Sequence, residues 1–284
     1  MREAQGRNGT HYAATIAAVI VNSSFCLLPS GLGWAAHPFV TDDTGTQGKG
    51  NWQLELQGDL LRSERTADTG SGPVEQKRKL NAFIPVLSYG ILDSLDIQFG
   101  LSHVRLRTTE NGVVTEDESG MSDSTLEVKW RFLEAGAFSL AVKPGLLLPT
   151  GDEAKGLGTG STSWGVALLA TYDAEPWTFL GNVAYSRARF KLSQDAADNQ
   201  SDLWRVSGGL SYAVAGDVRL VGEAGLRRNE SRNDPYTPDK TSQFAMIGII
   251  YSPSKNMDFD AGFRKNLNDA EFDSAFLVGA TFRW

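Results

Sequence analysis

The chain has a single cysteine, Cys26, and it lies in an apolar N-terminal run. From residue 37 onward there is no thiol, which excludes a disulfide, a cysteine-ligated metal and a thiol nucleophile from that part of the protein. Histidine is almost as scarce, with only His37 and His103 after the run. There is no His pair at metal-ligand spacing, no D-x-D-x-D-G calcium loop and no C-x-x-C-H haem attachment. No cofactor and no metal are expected. Positive charge is also short, with 27 Lys and Arg against 34 Asp and Glu. The resulting net charge of -7 argues against nucleic acid as a partner, because phosphate binding calls for a basic surface. After residue 28 no apolar run is long enough to cross a bilayer as a helix.

What stands at the N-terminus reads as targeting. Arg2 and Arg7 form a basic start, Ala13 to Leu28 is mostly apolar, and Gly33, Ala35 and Ala36 offer a cleavage site near position 35 or 36. A transmembrane anchor is the competing reading, but Asn22-Ser23-Ser24 and Pro29 interrupt the run. Ser23-Ser24-Phe25-Cys26 makes a poor lipobox because a bulky Phe precedes the Cys. The division expected is a signal peptide over 1–36, a periplasmic segment over 37–50 and a membrane barrel over 51–284.

From Asn51 onward the hydropathy alternates with period two. Trp52, Leu54, Leu56, Gly58 and Leu60 share one face, and Gln53, Glu55, Gln57 and Asp59 the other. The same sorting recurs in Leu95–Leu101, Leu126–Phe132, Phe138–Val142, Trp164–Tyr172, Trp177–Tyr185, Trp204–Tyr212, Val218–Leu226, Phe244–Ile250, Met257–Phe263 and Phe276–Trp284. With a less regular strand around Lys79–Leu87, this gives about twelve strands, and a helical period would not produce the pattern. A soluble β-sandwich alternates too, but its strands typically hold about five or six residues, whereas these run to about nine to twelve. Aromatics close many of the apolar faces: Trp52, Trp164, Tyr172, Trp177, Trp204, Tyr212 and Trp284. Such girdles form where lipid-facing strands meet headgroups.

Connection lengths point the same way. Those near 90–93, 134–137, 173–176, 215–217 and 252–256 are tight, and those near 63–76, 107–122, 149–161, 191–202, 228–241 and 266–274 are longer and polar. They alternate without a slip. An all-β, transmembrane, antiparallel up-and-down barrel with short periplasmic turns and long external loops requires this order. The last strand, Phe276-x-Val278-x-Ala280-x-Phe282-x-Trp284, resembles the C-terminal signal by which the barrel-assembly machinery takes up outer-membrane proteins.

No residue set announces chemistry. Ser102 and His103 are adjacent, so on a strand they point to opposite faces and cannot pair. Thr41-Asp42-Asp43-Thr44 reads as solvated carboxylates or a helix cap sooner than as a cation site. Gly151–Gly160 imitates a phosphate loop without its lysine and leads into a strand, so it is an external loop. An enzyme is not expected. Parity places Glu55, Asp59, Asp96, Glu127, Lys129, Arg131, Lys143, Asn182, Arg205, Arg219, Glu223, Arg227, Asp258, Asp260 and Arg264 toward the lumen. Phe83, Leu147, Leu169, Leu180, Val221, Ile247 and Ile249 are expected to join them, which makes parts of the lumen apolar. Whether the stretch from Ala36 to Gly50 plugs the barrel or hangs free stays open.

Two short motifs carry a family resemblance. His37-Pro38-Phe39-Val40-Thr41-Asp42-Asp43-Thr44-Gly45-Thr46-Gln47-Gly48-Lys49-Gly50-Asn51-Trp52-Gln53-Leu54-Glu55 and the stretch Lys143-Pro144-Gly145 through Pro149-Thr150-Gly151-Asp152 resemble the bacterial transporters of the phenol-degradation meta-pathway (MetA-pathway). That resemblance implies an outer-membrane barrel and uptake of aromatic compounds, and it carries over no binding residue. The expected function is passive passage of small solutes, aromatic or hydrophobic compounds included, with outer-membrane lipid as surroundings. A non-transporting structural or adhesion barrel with a filled lumen is the alternative.

Overall fold

The computed structural model describes residues 37–68, 72–232 and 234–284; the expected signal peptide and its cleavage site lie outside the described residues. Twelve antiparallel strands follow one another around a barrel. They are β1 (Trp52–Asp68), β2 (Pro73–Leu92), β3 in two pieces (Leu95–Gly100 and His103–Glu110) and β4 in two pieces (Val113–Met121 and Ser124–Ala135). Then come β5 (Phe138–Leu148), β6 (Ser163–Ala174), β7 (Trp177–Arg187), β8 (Asp202–Ala215), β9 (Val218–Arg228), β10 (Thr241–Ser254), β11 (Met257–Asn266) and β12 (Ser274–Arg283). Each pairs with its sequence neighbours, and β1 pairs with both β2 and β12, as in Trp52 opposite Tyr89 and Leu60 opposite Phe276. The sheet is closed, so it leaves no edge.

The alternation dictates which side chains turn outward. On β1 the burial alternates strictly from Gln53 to Leu61, with Gln53, Glu55, Gln57, Asp59 and Leu61 buried inside. Outside, Trp164, Leu168, Tyr172, Phe179, Val183, Leu220, Phe276 and many like them are exposed. A soluble protein seldom shows so continuous an apolar belt. The belt faces acyl chains.

Three features depart from expectation. The polar stretches 63–76 and 107–122 are mostly strand rather than loop. β1 and β2 pair as far as Asp68 opposite Pro73, and β3 meets β4 through a tight turn at Asn111-Gly112, both at positive φ. Asn-Gly at such a turn suits the twist of a hairpin, and neither strand end needs apolar residues once it has left the membrane. Secondly, β3 and β4 are interrupted at matching points, Leu101-Ser102 and Ser122-Asp123. Pro85 of β2, which has no N–H to give, lies beside the first break and accepts from the Leu101 amide at 3.0 Å.

The third departure is one of parity. Phe83 is 50% exposed and Ile247 71%, and Ile249 is exposed as well, so these three face lipid and not the lumen. Phe244, Met246 and Ile250, read as lipid-facing, are buried inside. The run Phe244–Tyr251 is apolar on both faces, so its hydropathy cannot fix its parity. The ladder does: Glu223 lies opposite Met246 and Arg219 opposite Ile250. Inward residues of β9 bring inward partners with them.

Candidate functional site: the barrel lumen

Of the two arrangements the sequence leaves open for the stretch before Asn51, plug or free end, the described residues from His37 take the first: they lie inside the barrel. Lys49 and Gly50 are exposed at the short-turn mouth, where Gly50 donates to the Gly90 carbonyl at 2.8 Å, but His37–Asp42, Thr44, Thr46 and Gln47 are buried. The segment circles the inner wall in strand order. The Gln47 amide donates to the Asp96 carboxylate on β3 at 2.9 Å. Thr44 meets Ser139 of β5 and Thr171 of β6. Asn182 of β7 accepts from the Asp42 amide at 2.7 Å and donates to its carbonyl at 2.8 Å. Thr41 donates to Glu223 of β9 at 2.5 Å, and the Val40 amide donates to the same carboxylate at 2.8 Å. Pro38 packs on Gly248 and Gly262, and the His37 ring lies on Asp260 with Asp59 3.6 Å away.

Charge locks its middle. Asp42 lies between Lys129 (2.9 Å) and Lys143 (2.7 Å), and all three side chains are at most 5% exposed. Thr41-Asp42-Asp43-Thr44 is therefore neither a solvated pair nor a helix cap. From residue 37 to 47 the described residues show no backbone-to-backbone hydrogen bond with the wall. Side chains hold the segment, so it is docked on the sheet without being part of its backbone ladder.

The lining expected from parity is found as follows. Glu55, Asp59, Asp96, Glu127, Lys129, Lys143, Asn182, Arg205, Arg219, Glu223, Arg227, Asp258, Asp260 and Arg264 are all buried inside. Arg131 is half-buried at the short-turn mouth, where it reaches Glu134 and the Asp93 carbonyl. Arg283, which parity reasoning had not singled out, bridges Asp258 at 2.7 Å and Gln53 at 2.8 Å. The aromatics Trp52, Trp164, Tyr172, Trp177, Trp204 and Trp284 are exposed and Tyr212 half-exposed. Trp177 and Tyr212 pack ring to ring at 4.4 Å. Ser102 is buried and His103 exposed, on opposite faces.

The lumen is two-sided. β4 to β9 present mainly polar and charged groups. An apolar track lies mostly on the other side, made of Leu61, Leu80, Leu106, Met246, Ile250, Ala275 and Leu277, with Val221 of β9. Phe39 of the segment and Phe272 of the last loop pack against it. Leu61, Leu80 and Leu106 were not expected as lining: Leu61 comes just after the alternating run that ends at Leu60, Leu80 lies in the least regular strand, and Leu106 lies beyond the run that ends at Leu101.

Loops cover the far mouth. The Asp123 carboxylate, at the break in β4, accepts from the Gly151 amide (2.9 Å) and the Thr159 amide (2.8 Å), which folds the 149–162 loop against the barrel. Gln200 donates to the Glu230 carbonyl at 2.6 Å, and Arg65 reaches Asp273 and the Tyr236 carbonyl. Burial pushes the Glu230 carboxyl up, to about 8, with Arg227 acting the other way. Burial raises Asp195, in the neighbouring short helix, as well. A carboxyl whose folded pKa lies above its unfolded value keeps the folded loop fully favoured below about 4.5, and loses that advantage as pH climbs toward 8. Amide exchange over 229–240, corrected for intrinsic rates, is expected to be faster at pH 8.5 than at pH 5.5. Glu230→Gln should flatten this difference; an equal pH dependence in that variant would refute the assignment.

Comparison with known proteins agrees with this architecture. The sequence profile described as "Putative MetA-pathway of phenol degradation" matches residues 41–284. The COG4313 outer membrane channel from Pseudomonas putida F1 is similar in structure, with TM-score 0.60 and 16% identity, covering 85% of this chain and 98% of that one. The translocator domain of the autotransporter NalP from Neisseria meningitidis gives 0.56 at 16% identity, over 98% of this chain and 100% of the other. The NanC porin gives 0.51 at 13%, over 81% and 98%. At such identities the likeness is one of fold: a closed barrel of the bacterial outer membrane. No curated protein matches the chain in sequence.

Proposed function

The chain belongs to the phenol-degradation MetA-pathway family, and from that premise we propose that it is a passive outer-membrane channel for small solutes with apolar bodies, aromatic compounds among them. The observation that carries this reading is the apolar track inside the lumen. A wall that merely had to be filled could be mainly polar all round, as its neighbouring sector is. Ile250 and Val221 with Leu61, Leu80 and Leu106, which Phe39 of the segment covers, would give an apolar solute an apolar wall to move along. On this reading the lumen-facing charges hold the segment and keep the rest of the wall wetted. The aromatics from Trp52 to Trp284 seat the barrel between headgroup layers. The signal peptide delivers it, the last strand meets the assembly machinery, and no step of catalysis is involved.

One observation favours the alternative, a structural or adhesion barrel: the segment fills the lumen. Flux separates the two. Vesicles carrying the purified full chain are expected to take up a small aromatic solute much faster than empty vesicles, and faster than they take up a sugar of equal size. Leu80→Asn should lower aromatic uptake by about tenfold, the factor that about 1.4 kcal/mol of lost apolar contact produces, while leaving ion conductance unchanged. Uptake no faster than in empty vesicles would sink the channel reading.

A further inference from the structure

The outer wall changes character abruptly on three adjoining strands. β1 passes from Leu60 to Arg62, β2 from Phe83 through Asn81 to Lys79, and β3 from Leu101 to Arg105 and Arg107. Arg62 lies directly opposite Lys79, Lys79 opposite Arg107, and Asn81 opposite Arg105. The four cations therefore form one band on the outside of the barrel. The ten steps from Trp52 to Arg62, at about 3.3 Å each along a strand tilted by about 40°, climb about 25 Å, the height of the apolar band of an outer-membrane barrel. The band thus stands at the membrane surface on the side of the long loops.

Its charge is poorly balanced from within. Arg105 reaches Asp117 at 3.1 Å and Arg107 reaches the same carboxylate at 3.7 Å. Arg62 donates to the carbonyls of Leu61 and Leu80, and Lys79 has no ion pair among the described residues. Glu64 and Glu75, farther from the membrane, are occupied by Lys77. Four cations share one carboxylate. Like charges directly opposite each other on neighbouring strands are destabilising, so the row from Arg62 to Arg107 costs the fold stability unless an anion lies along it. Nothing inside the barrel requires these charges, because they face away from the lumen.

We propose that this band binds the phosphates of a phosphorylated glycolipid of the outer leaflet, of the lipopolysaccharide class, whose acyl chains lie along Leu60, Phe83 and Leu101 below it. Short turns face the periplasm in such barrels, which puts the long-loop end and the band in the outer leaflet. There the anionic lipid is the phosphorylated glycolipid. Arginine and lysine next to an apolar belt suit it on both counts: charge-assisted hydrogen bonds to phosphate, and apolar wall to chain. The proposal does not depend on what passes through the lumen.

The full chain purified in detergent, titrated with lipid A, with phosphatase-treated lipid A and with phosphatidylglycerol, tests it by native mass spectrometry. Intact lipid A is expected to bind at least about tenfold more tightly than either of the others. Lys79→Gln with Arg107→Gln should remove that preference, whereas Lys79→Arg with Arg107→Lys should keep it. Heat-modifiable gel migration confirms that each variant is folded. If the dephosphorylated lipid binds as well as the intact one, or the glutamine variant binds like the parent, the site is not there. If phosphatidylglycerol binds as tightly as lipid A, the assignment of partner is wrong.

Discussion

Asp42→Asn is expected to release the N-terminal segment and to raise single-channel conductance by at least about tenfold. Among the described residues Asp42 is within hydrogen-bonding distance of both Lys129 (2.9 Å) and Lys143 (2.7 Å), and the three side chains are buried. Glu127 gives Lys143 a second, longer contact at 3.4 Å, and Asp43 lies 3.7 Å from Lys129. Removing one partner from a buried ion pair costs about 3–5 kcal/mol, because the remaining charge is stranded away from water. In a solid core that penalty unfolds the protein. Here the lysines recover their hydration once the segment withdraws, so the penalty falls on docking. A shift of about 3–5 kcal/mol moves that equilibrium by roughly two to three and a half orders of magnitude. Replacing the whole cluster, Asp42→Leu with Asp43→Asn, Glu127→Gln, Lys129→Met and Lys143→Met, removes the two lysines together with every carboxylate they touch and should keep conductance at the parent level. Conductance in planar bilayers and protease access to residues 37–47 read the result. If Asp42→Asn conducts like the parent and its segment stays protected, the ionic lock is not what holds the segment.

The barrel was legible in the sequence because a lipid-facing strand and a wet lumen impose opposite demands on alternate residues. Wherever both demands were expressed, as in Gln53–Leu61 or Trp164–Tyr172, the reading of faces agrees with the structure. It failed where one demand was silent. Phe244–Tyr251 is apolar on both faces, and Phe83 stands in a strand whose outward face turns polar two residues on, at Asn81. Register, a property of pairs of strands, decides there. The polar stretches 63–76 and 107–122 looked like loops for a related reason: above the membrane no face of a strand needs to be apolar. The lumen segment was illegible on different grounds. Asp42 and Asp43 in an irregular stretch look solvated until Lys129 and Lys143, about ninety and about a hundred residues away, are brought to them by closure of the sheet. The motif that carried the family resemblance, His37 onward, is the same stretch, and its residues are those that touch the inner wall.

Gly262→Leu is expected to dislodge the far end of the segment while leaving its ionic middle in place. Gly248 and Gly262 are cross-strand partners on β10 and β11, and together they leave a notch in the inner wall that the Pro38 ring fills. A Cβ on Gly262 would meet Pro38 Cβ at 2.8 Å and Cγ at 2.9 Å, and the next nearest atom, at 3.3 Å, is the sulfur of the flexible Met246 side chain. A proline ring cannot turn aside as a long side chain can, so the segment has to move. Gly248 makes a less clean test, because its Cβ would also press on the Ala261 carbonyl at 2.7 Å. With Pro38 displaced, His37 loses its position between Asp260 and Asp59, and the stretch before Asp42 is freed. The chain from residue 37 on has no thiol of its own, so a single cysteine introduced at Val40 reports on that stretch alone. Its labelling by a water-soluble reagent should quicken by at least about tenfold in the Gly262→Leu background, which corresponds to about 1.4 kcal/mol in the docking of the tip. Conductance should rise to a level between the parent and Asp42→Asn. Gly262→Ala, whose Cβ already meets the ring, should quicken labelling as well, and adding Pro38→Gly to it removes the ring that collides and should restore slow labelling. If labelling stays slow in Gly262→Leu, the wall has yielded instead of the segment, and the notch does not position Pro38.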